Sequence, residues 1–298
     1  MAAVARMAVP HGTITAMSDL VRHLPGSAPL VLDSPHSGTH YPDDFRPACP
    51  MALLRQAEDT HVEKLYSFAP ALGVHWVEAL FPRSYVDANR ALAEIDEALL
   101  EGPWPGERPQ SPLQWAKVKL GKGLIWRLTD DGLPLYDRQL GVAEVQQRLA
   151  RCWHPYHQAV EQAIDAARAQ HGYSLHINCH SMPAVAGSHA TDHPGLAHAD
   201  FVVGNRDHST SSPALAELVC HWLRQAGYSV WLNHPYKGVE LVRRYGQPQD
   251  HRHSLQLEIN RGLYMDERTL ELHAGFETIQ RDLQTLVQRL LATDPRTL

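Results

Sequence analysis

Several short polar segments carry residues whose types suit hydrolysis at a metal. They are His36 in Ser34-Pro35-His36-Ser37-Gly38, the pair Glu58-Asp59, His180 in Cys179-His180-Ser181, and Glu258 in Leu257-Glu258-Ile259. A hydrolytic zinc site takes three protein ligands and leaves a position open for water, and neutral imidazole with carboxylate is the usual set. His36 and His180 are candidates for the imidazoles. The carboxylate is Asp59 or its neighbour Glu58 at the start of a helical stretch, and Asp59 also reads as a simple cap of that helix. Glu258 lies in a run where Leu255, Leu257 and Ile259 alternate with Gln256, Glu258 and Asn260, the two faces of a strand. A carboxylate in so apolar a strand is costly unless it is paired or used. As a general base and acid it would take a proton from water and return it to a leaving nitrogen.

Arg83, Asp87, Asn89 and Arg90 form a further cluster. A guanidinium beside an amide suits capture of a substrate carboxylate, and Asp87 could orient a histidine ligand through its second ring nitrogen. Other patterns are weaker. His75 and Glu78 fall three apart in an expected strand and face opposite sides. His154, His157 and Glu161 share a helical face, where packing and capping account for them. His189, His193 and His198 follow His180 in a loop and could approach the same pocket. No G-x-S-x-G elbow, phosphate-binding loop or H-E-x-x-H helix is present, which removes support for those enzyme templates.

The elements that must position these groups alternate. A buried strand over 30–33 empties into the His36 loop. Val62, Leu65, Tyr66, Ala69 and Leu72 then recur at helical spacing, with Gly73 where a C-terminal cap is wanted. Strands are expected near 74–80, 173–179, 200–204, 228–233 and 255–259. The stretch 102–141 is rich in proline and glycine and reads as an excursion over the surface. Residues 142–170 read as one long amphipathic helix kinked at Pro155. Ser212-Pro213 opens another helix that closes at Gly227, and Leu272, Phe276, Ile279, Leu283, Leu286 and Leu290 mark the last. This order predicts one α/β domain over 1–298, a three-layer α/β/α arrangement around a central mixed, mostly parallel sheet. Ligands of such sheets sit beyond the carboxyl ends of the strands, where the segments at 35–36, 87–90, 180–181 and 258–261 should converge.

Composition narrows the partners. A net charge of −6 has the wrong sign for a phosphate backbone, so nucleic acid is not expected. The stretch 172–190 lacks Asp, Glu, Lys and Arg, but Asn178, histidines and Pro183 keep it from spanning a bilayer. Cys49, Cys152, Cys179 and Cys220 are scattered, which suggests neither a disulfide framework nor a thiolate zinc site and fits a reducing cytoplasm. The N-terminus, with Arg6, breaks at Pro10 and His11 before any sustained apolar run, so no secretory signal is expected.

Taken together, several segments resemble the N-formylglutamate amidohydrolases, also called N-formylglutamate deformylases, over nearly the whole chain. They are Ser34-Pro35-His36-Ser37-Gly38, Asp59 followed by Lys64-Leu65-Tyr66, Arg83 through Asp87-Ala88-Asn89-Arg90, Trp153-His154-Pro155-Tyr156-His157, Cys179-His180-Ser181-Met182, Gly204-Asn205-Arg206, and Leu255-Gln256-Leu257-Glu258-Ile259-Asn260-Arg261. The Asp-x-Asn-Arg segment is also similar to that of zinc carboxypeptidases and aspartoacylases, which implies their phosphorylase/hydrolase-like α/β fold. The resemblance implies one Zn2+ on His36, Asp59 and His180, Glu258 as general base and acid, Arg83 polarising the carbonyl, and Asn89 with Arg90 at the substrate carboxylate. The implied reaction releases formate and glutamate from N-formylglutamate, as in histidine breakdown. Another N-acyl amino acid or a short peptide is the alternative substrate. A non-catalytic metal- or carboxylate-binding protein is the alternative outside enzymes, disfavoured by the presence of Glu258. One departure is Asp207-His208, where the resemblance leads to a more glycine-rich loop.

Overall fold

The computed structural model describes residues 19–187 and 194–298. The N-terminal stretch with Arg6, Pro10 and His11 lies outside them. Short apolar runs, bounded by turn residues, form seven strands: β1 (Val21–Leu24), β2 (Leu30–Ser34), β3 (His75–Ala79), β4 (Ser174–Met182), β5 (Phe201–Gly204), β6 (Val230–Leu232) and β7 (Arg252–Asn260). They make one sheet in the order β1-β3-β2-β4-β7-β5-β6. Neighbours run parallel except β1 with β3 and β5 with β7. The sheet is therefore mixed and mostly parallel, as expected.

The helices are α1 (Met51–Arg55), α2 (Val62–Leu65), α3 (Pro112–Lys119), α4 (Val142–Arg151), α5 (Trp153–His171), α6 (Pro213–Gln225), α7 (Glu240–Tyr245) and α8 (Gly275–Leu291). Tyr156, Val160 and Ala163 of α5 share one core with Val31, Val77 and Ala79 of the sheet. Val219 of α6 and Leu283 and Leu286 of α8 share the other with Leu32, Leu175, Ile177 and Leu257. Two apolar layers thus sandwich the sheet, which gives the three-layer α/β/α class.

Both central strands are polar on alternate positions. Leu175, Ile177 and Cys179 of β4 and Leu255, Leu257 and Ile259 of β7 enter the α6 and α8 layer. Alternation sends His176, Asn178 and His180, with Ser254, Gln256 and Glu258, to the opposite face, all buried. The parallel register sets His180 beside Glu258.

Several expectations are corrected. The long helix over 142–170 is two helices that part at Cys152 (φ −116°, ψ −67°), ahead of Pro155. Pro155 falls in the first turn of α5, where a missing N–H is no loss. The helical pattern over 62–72 is α2 followed by a 3-10 turn, Ala69–Leu72, that carries Pro70 and ends at Gly73 with φ 77°. The stretch 102–141 is only in part a surface excursion. It carries α3 and buries Trp104, Leu124, Ile125, Trp126, Leu135, Tyr136 and Leu140 in the α5-side core. Strand β4 runs on to Met182, so His180 stands inside it, not after it. The antiparallel course of β5 carries Gly204 toward Gln256, away from the β7 end that holds Asn260.

The loop after β5 accounts for the departure at Asp207-His208. Arg206, Asp207 and His208 all adopt left-handed backbone, φ 50°, 55° and 67°, the region glycine occupies most easily. Asn205 holds the turn by accepting from the His208 amide at 3.0 Å, and Lys237 pairs with Asp207 at 2.8 Å.

Candidate active site

Each expected segment delivers its side chain by a different device. His36 follows β2 in a loop pressed so closely on β3 that a Cβ on Gly38 would lie 2.3 Å from the Phe81 carbonyl oxygen. Asp59 is tied to that loop, its backbone N–H donating to the His36 carbonyl at 3.0 Å. Its side chain caps no helix, since the residue preceding α2 is His61 and makes no side-chain cap bond. Glu58 points elsewhere, accepting from the Tyr41 hydroxyl at 2.7 Å.

The side chains of His36, Asp59 and His180 converge. One ligand atom from each lies within 4.8 Å of the others, all are buried, and the two imidazole centroids are 4.7 Å apart. Asp59 Oδ2 lies 2.8 Å from His180 Nδ1 and 3.5 Å from His36 Nδ1, while Arg261 donates to Asp59 Oδ1 at 3.2 Å. Burial by itself would raise the Asp59 pKa, but the hydrogen bond to His180 and the nearby His36 ring hold it well below the usual carboxylate range. Burial pushes the His180 pKa down, which favours the neutral imidazole that ligates metals.

These residues fit a divalent cation. His36 Nδ1 is buried and has no hydrogen-bond partner, although most buried ring nitrogens have one. It faces the Asp59 oxygen that also approaches His180 Nδ1. The other ring nitrogens face away from that gap. His36 Nε2 lies 2.7 Å from Asp87 Oδ1 and His180 Nε2 lies 2.7 Å from Asn178 Oδ1, the outer partners that fix a ligating histidine. Asp87 also accepts from Arg83 at 3.1 Å and Trp126 at 3.3 Å, and burial, which would raise its pKa, is overcome by His36, Arg83 and Arg90.

Glu258 is buried beside this trio. Burial, then the Asp59 charge, pushes its pKa up to about 8, and Gln256 donates to it at 2.7 Å. A carboxyl that titrates near neutrality is suited to exchanging protons in both directions. Arg83 Nη1 comes within 3.7 Å of Asp59 Oδ1. Arg90 is buried, donating through Nε to the Lys122 carbonyl at 3.1 Å. Asn89 lies behind His180, with its amide nitrogen 3.0 Å from His180 Nε2 and its amide oxygen accepting from the Leu241 N–H at 2.9 Å.

The remaining histidine candidates do not join the trio. His157 is held between the Tyr245 hydroxyl and the Ala88 carbonyl, both at 2.9 Å, and His75 accepts from the Gly26 N–H at 3.1 Å. His198 bonds the Pro183 carbonyl at 2.6 Å, its ring 5.5 Å from that of Tyr236. His189 and His193 lie outside the described residues. Sequence reasoning assigned no role to Arg261 or Asn178. Arg261 closes the Glu258 segment, and its charge immediately after the strand was the available signal.

With this geometry in place, sequence comparison decides the family: the N-formylglutamate amidohydrolase family model matches residues 28–265. The chain belongs to this family. It is 32% identical over 288 residues to the N-formylglutamate deformylase of Pseudomonas aeruginosa, covering 93% of this chain and 97% of that protein. A Pseudomonas putida N-formylglutamate deformylase is 30% identical over 271 residues, covering 89% and 92%. The crystal structure of N-formylglutamate amidohydrolase from Ralstonia eutropha JMP134 superposes with a TM-score of 0.87 at 44% identity, over 93% of this chain and 99% of that one. As a member of the N-formylglutamate amidohydrolase family, the chain is a hydrolase that acts on an amide. Among the described residues no helix is long and apolar enough to cross a membrane.

Proposed function

We propose that this chain hydrolyses the amide of N-formyl-L-glutamate to formate and L-glutamate with one zinc ion held by His36, Asp59 and His180. The observation that carries the reading is the convergence of these side chains beside Glu258, with a buried ring nitrogen of His36 left unpartnered. A divalent ion bound there supplies Lewis acidity to a carbonyl oxygen and acidifies water.

Hydrolysis adds the oxygen of water to the formyl carbon, breaks the C–N bond and delivers a proton to the departing nitrogen. Glu258 is assigned both proton transfers, taking one from water and returning it to nitrogen. Arg83, already close to Asp59, stabilises the negative charge that develops on the carbonyl oxygen. The substrate carboxylate is assigned to Arg90. Asn89, whose amide is engaged behind His180, serves that segment by holding it in place. The relatives named for this reaction support the formyl group as the acyl portion.

The test is formate release from purified, zinc-loaded protein given N-formyl, N-acetyl and N-succinyl derivatives of glutamate and other amino acids. Formate from N-formyl-L-glutamate, with the other compounds turned over at least about tenfold less efficiently, is the expected result. Preference for another acyl group transfers the reading to a different N-acyl amino acid, and no turnover at all removes it.

A further inference from the structure

We infer that Asp33, a buried residue outside the metal-facing gap, decides which ring nitrogen of His180 is left free for the cation by fixing the orientation of the Asn178 amide. The inference rests on the zinc reading above and adds a positioning residue to it.

Two amides compete for His180 Nε2. The Asn89 amide nitrogen lies 3.0 Å away and offers a donor, while the Asn178 amide oxygen lies 2.7 Å away and offers an acceptor. The first arrangement wants an unprotonated Nε2, which puts the ring proton on Nδ1, where it would block a metal. The second needs the proton on Nε2 and leaves the Nδ1 lone pair free for a cation seated between it and Asp59, in place of the proton that Nδ1 otherwise donates to that carboxylate. Asn89 is locked as a donor because its oxygen accepts from the Leu241 N–H.

Asn178 could in principle present either end. Asp33 selects one, since Asn178 Nδ2 lies 2.9 Å from Asp33 Oδ1 and 3.1 Å from Oδ2, and a carboxylate only accepts. The amide nitrogen must therefore face Asp33 and the oxygen must face His180. Asp33 is in turn held as a carboxylate by the Tyr156 hydroxyl at 2.6 Å and His176 Nε2 at 2.8 Å. Asn89 then turns its second option to use, donating to Asn178 Oδ1 at 3.2 Å. His36 receives the same service directly from Asp87, so the two imidazoles are aligned by different devices, one a carboxylate and one a carboxylate acting through an amide.

The experiment is zinc affinity by chelator competition on purified wild-type, Asp33→Asn, Asn178→Leu and Asp33→Asn/Asn178→Leu proteins, with circular dichroism and thermal unfolding in chelator to verify the fold. Each single variant is expected to bind zinc about 10- to 100-fold more weakly, the usual effect of losing an outer partner of a ligating histidine. The double variant should be no weaker than the weaker single, because Asp33 acts only through Asn178. If Asp33→Asn weakens zinc by the same factor with and without Asn178, the effect is simple charge and the relay is wrong. Wild-type-like affinity in both single variants also overturns it. Should Asp33→Asn fail to fold, Asn178→Leu decides, since affinity within about threefold of wild type sinks the proposal. A wild-type protein that takes up no divalent ion overturns the zinc reading itself, a result distinct from unchanged variants of a protein that does.

Discussion

The backbone N–H of Asp59 donates to the backbone carbonyl of His36 at 3.0 Å, so two proposed ligands far apart in sequence are joined through the main chain. Side-chain rotation cannot separate them. The pairing of β4 with β7 does the same for His180 and Glu258, which stand side by side in the register. Main-chain bonds therefore secure each member of the site to one other, the rigid support that a pre-formed site requires.

Gly38→Ala tests how closely the His36 loop must approach the sheet. The added Cβ would meet the Phe81 oxygen at 2.3 Å, the Leu80 carbonyl carbon at 2.5 Å and the Ala79 oxygen at 2.6 Å, all backbone atoms. The expected loss is about 1–3 kcal/mol of stability with weaker zinc binding, read by urea unfolding and chelator competition. A variant equal to wild type in both would show that the loop has room to move.

Glu258→Gln keeps shape and removes the titrating group. Turnover should fall by roughly 10²–10⁴-fold while zinc content stays that of the wild type. Near wild-type formate release with metal bound would exclude Glu258 as the base.

His36→Ala and His180→Ala each remove one of three ligands. Elemental analysis after dialysis should find zinc well below one ion per chain in both proteins. Undiminished zinc in the pair of variants moves the metal elsewhere.

His157 provides a pH signature independent of the metal. Burial lowers its pKa from 6.5 to about 3, so the unfolded chain binds a proton between those values that the native ring refuses. Its contribution to stability is complete above about pH 6.5 and declines by up to about 1.4 kcal/mol per pH unit as the pH falls toward 3. Urea unfolding at pH 7 and pH 5 should show wild type losing about 2 kcal/mol more than His157→Gln. Equal losses in the two proteins would contradict the assignment.

The sheet was legible because its signals are local, whereas the choice of Asp59 over Glu58 beside His36 and His180 came only from the family resemblance. Apolar runs such as 30–33 and 255–259 announce strands, and the alternation around Glu258 placed its side chain on the opposite face from Leu257 before any coordinates. What escaped depends on contacts between distant segments. Pro155 looked like a break because its cost inside a helix is large, yet the chain starts a new helix just ahead of it, where that cost vanishes. The stretch 102–141 looked solvent-exposed because proline and glycine recur along it, while Leu124, Trp126 and Leu135 sit in the core. Its Leu124 carbonyl accepts from the Asp87 N–H at 2.8 Å, a long-range tie with no periodic trace. Asn178 carried no readable site role because an amide inside a strand has no pattern of its own.

The break at Cys152 has a mechanical consequence. The opening turns of α5 make three grips on two distant segments, through Trp153 to the Arg90 carbonyl at 2.9 Å, Tyr156 to Asp33 at 2.6 Å and His157 to the Ala88 carbonyl at 2.9 Å. One residue added or deleted at the joint would turn the start of this helix by about 100° and release all three grips together. The length of this joint therefore sets, through the phase of a single helical turn, whether these contacts can form.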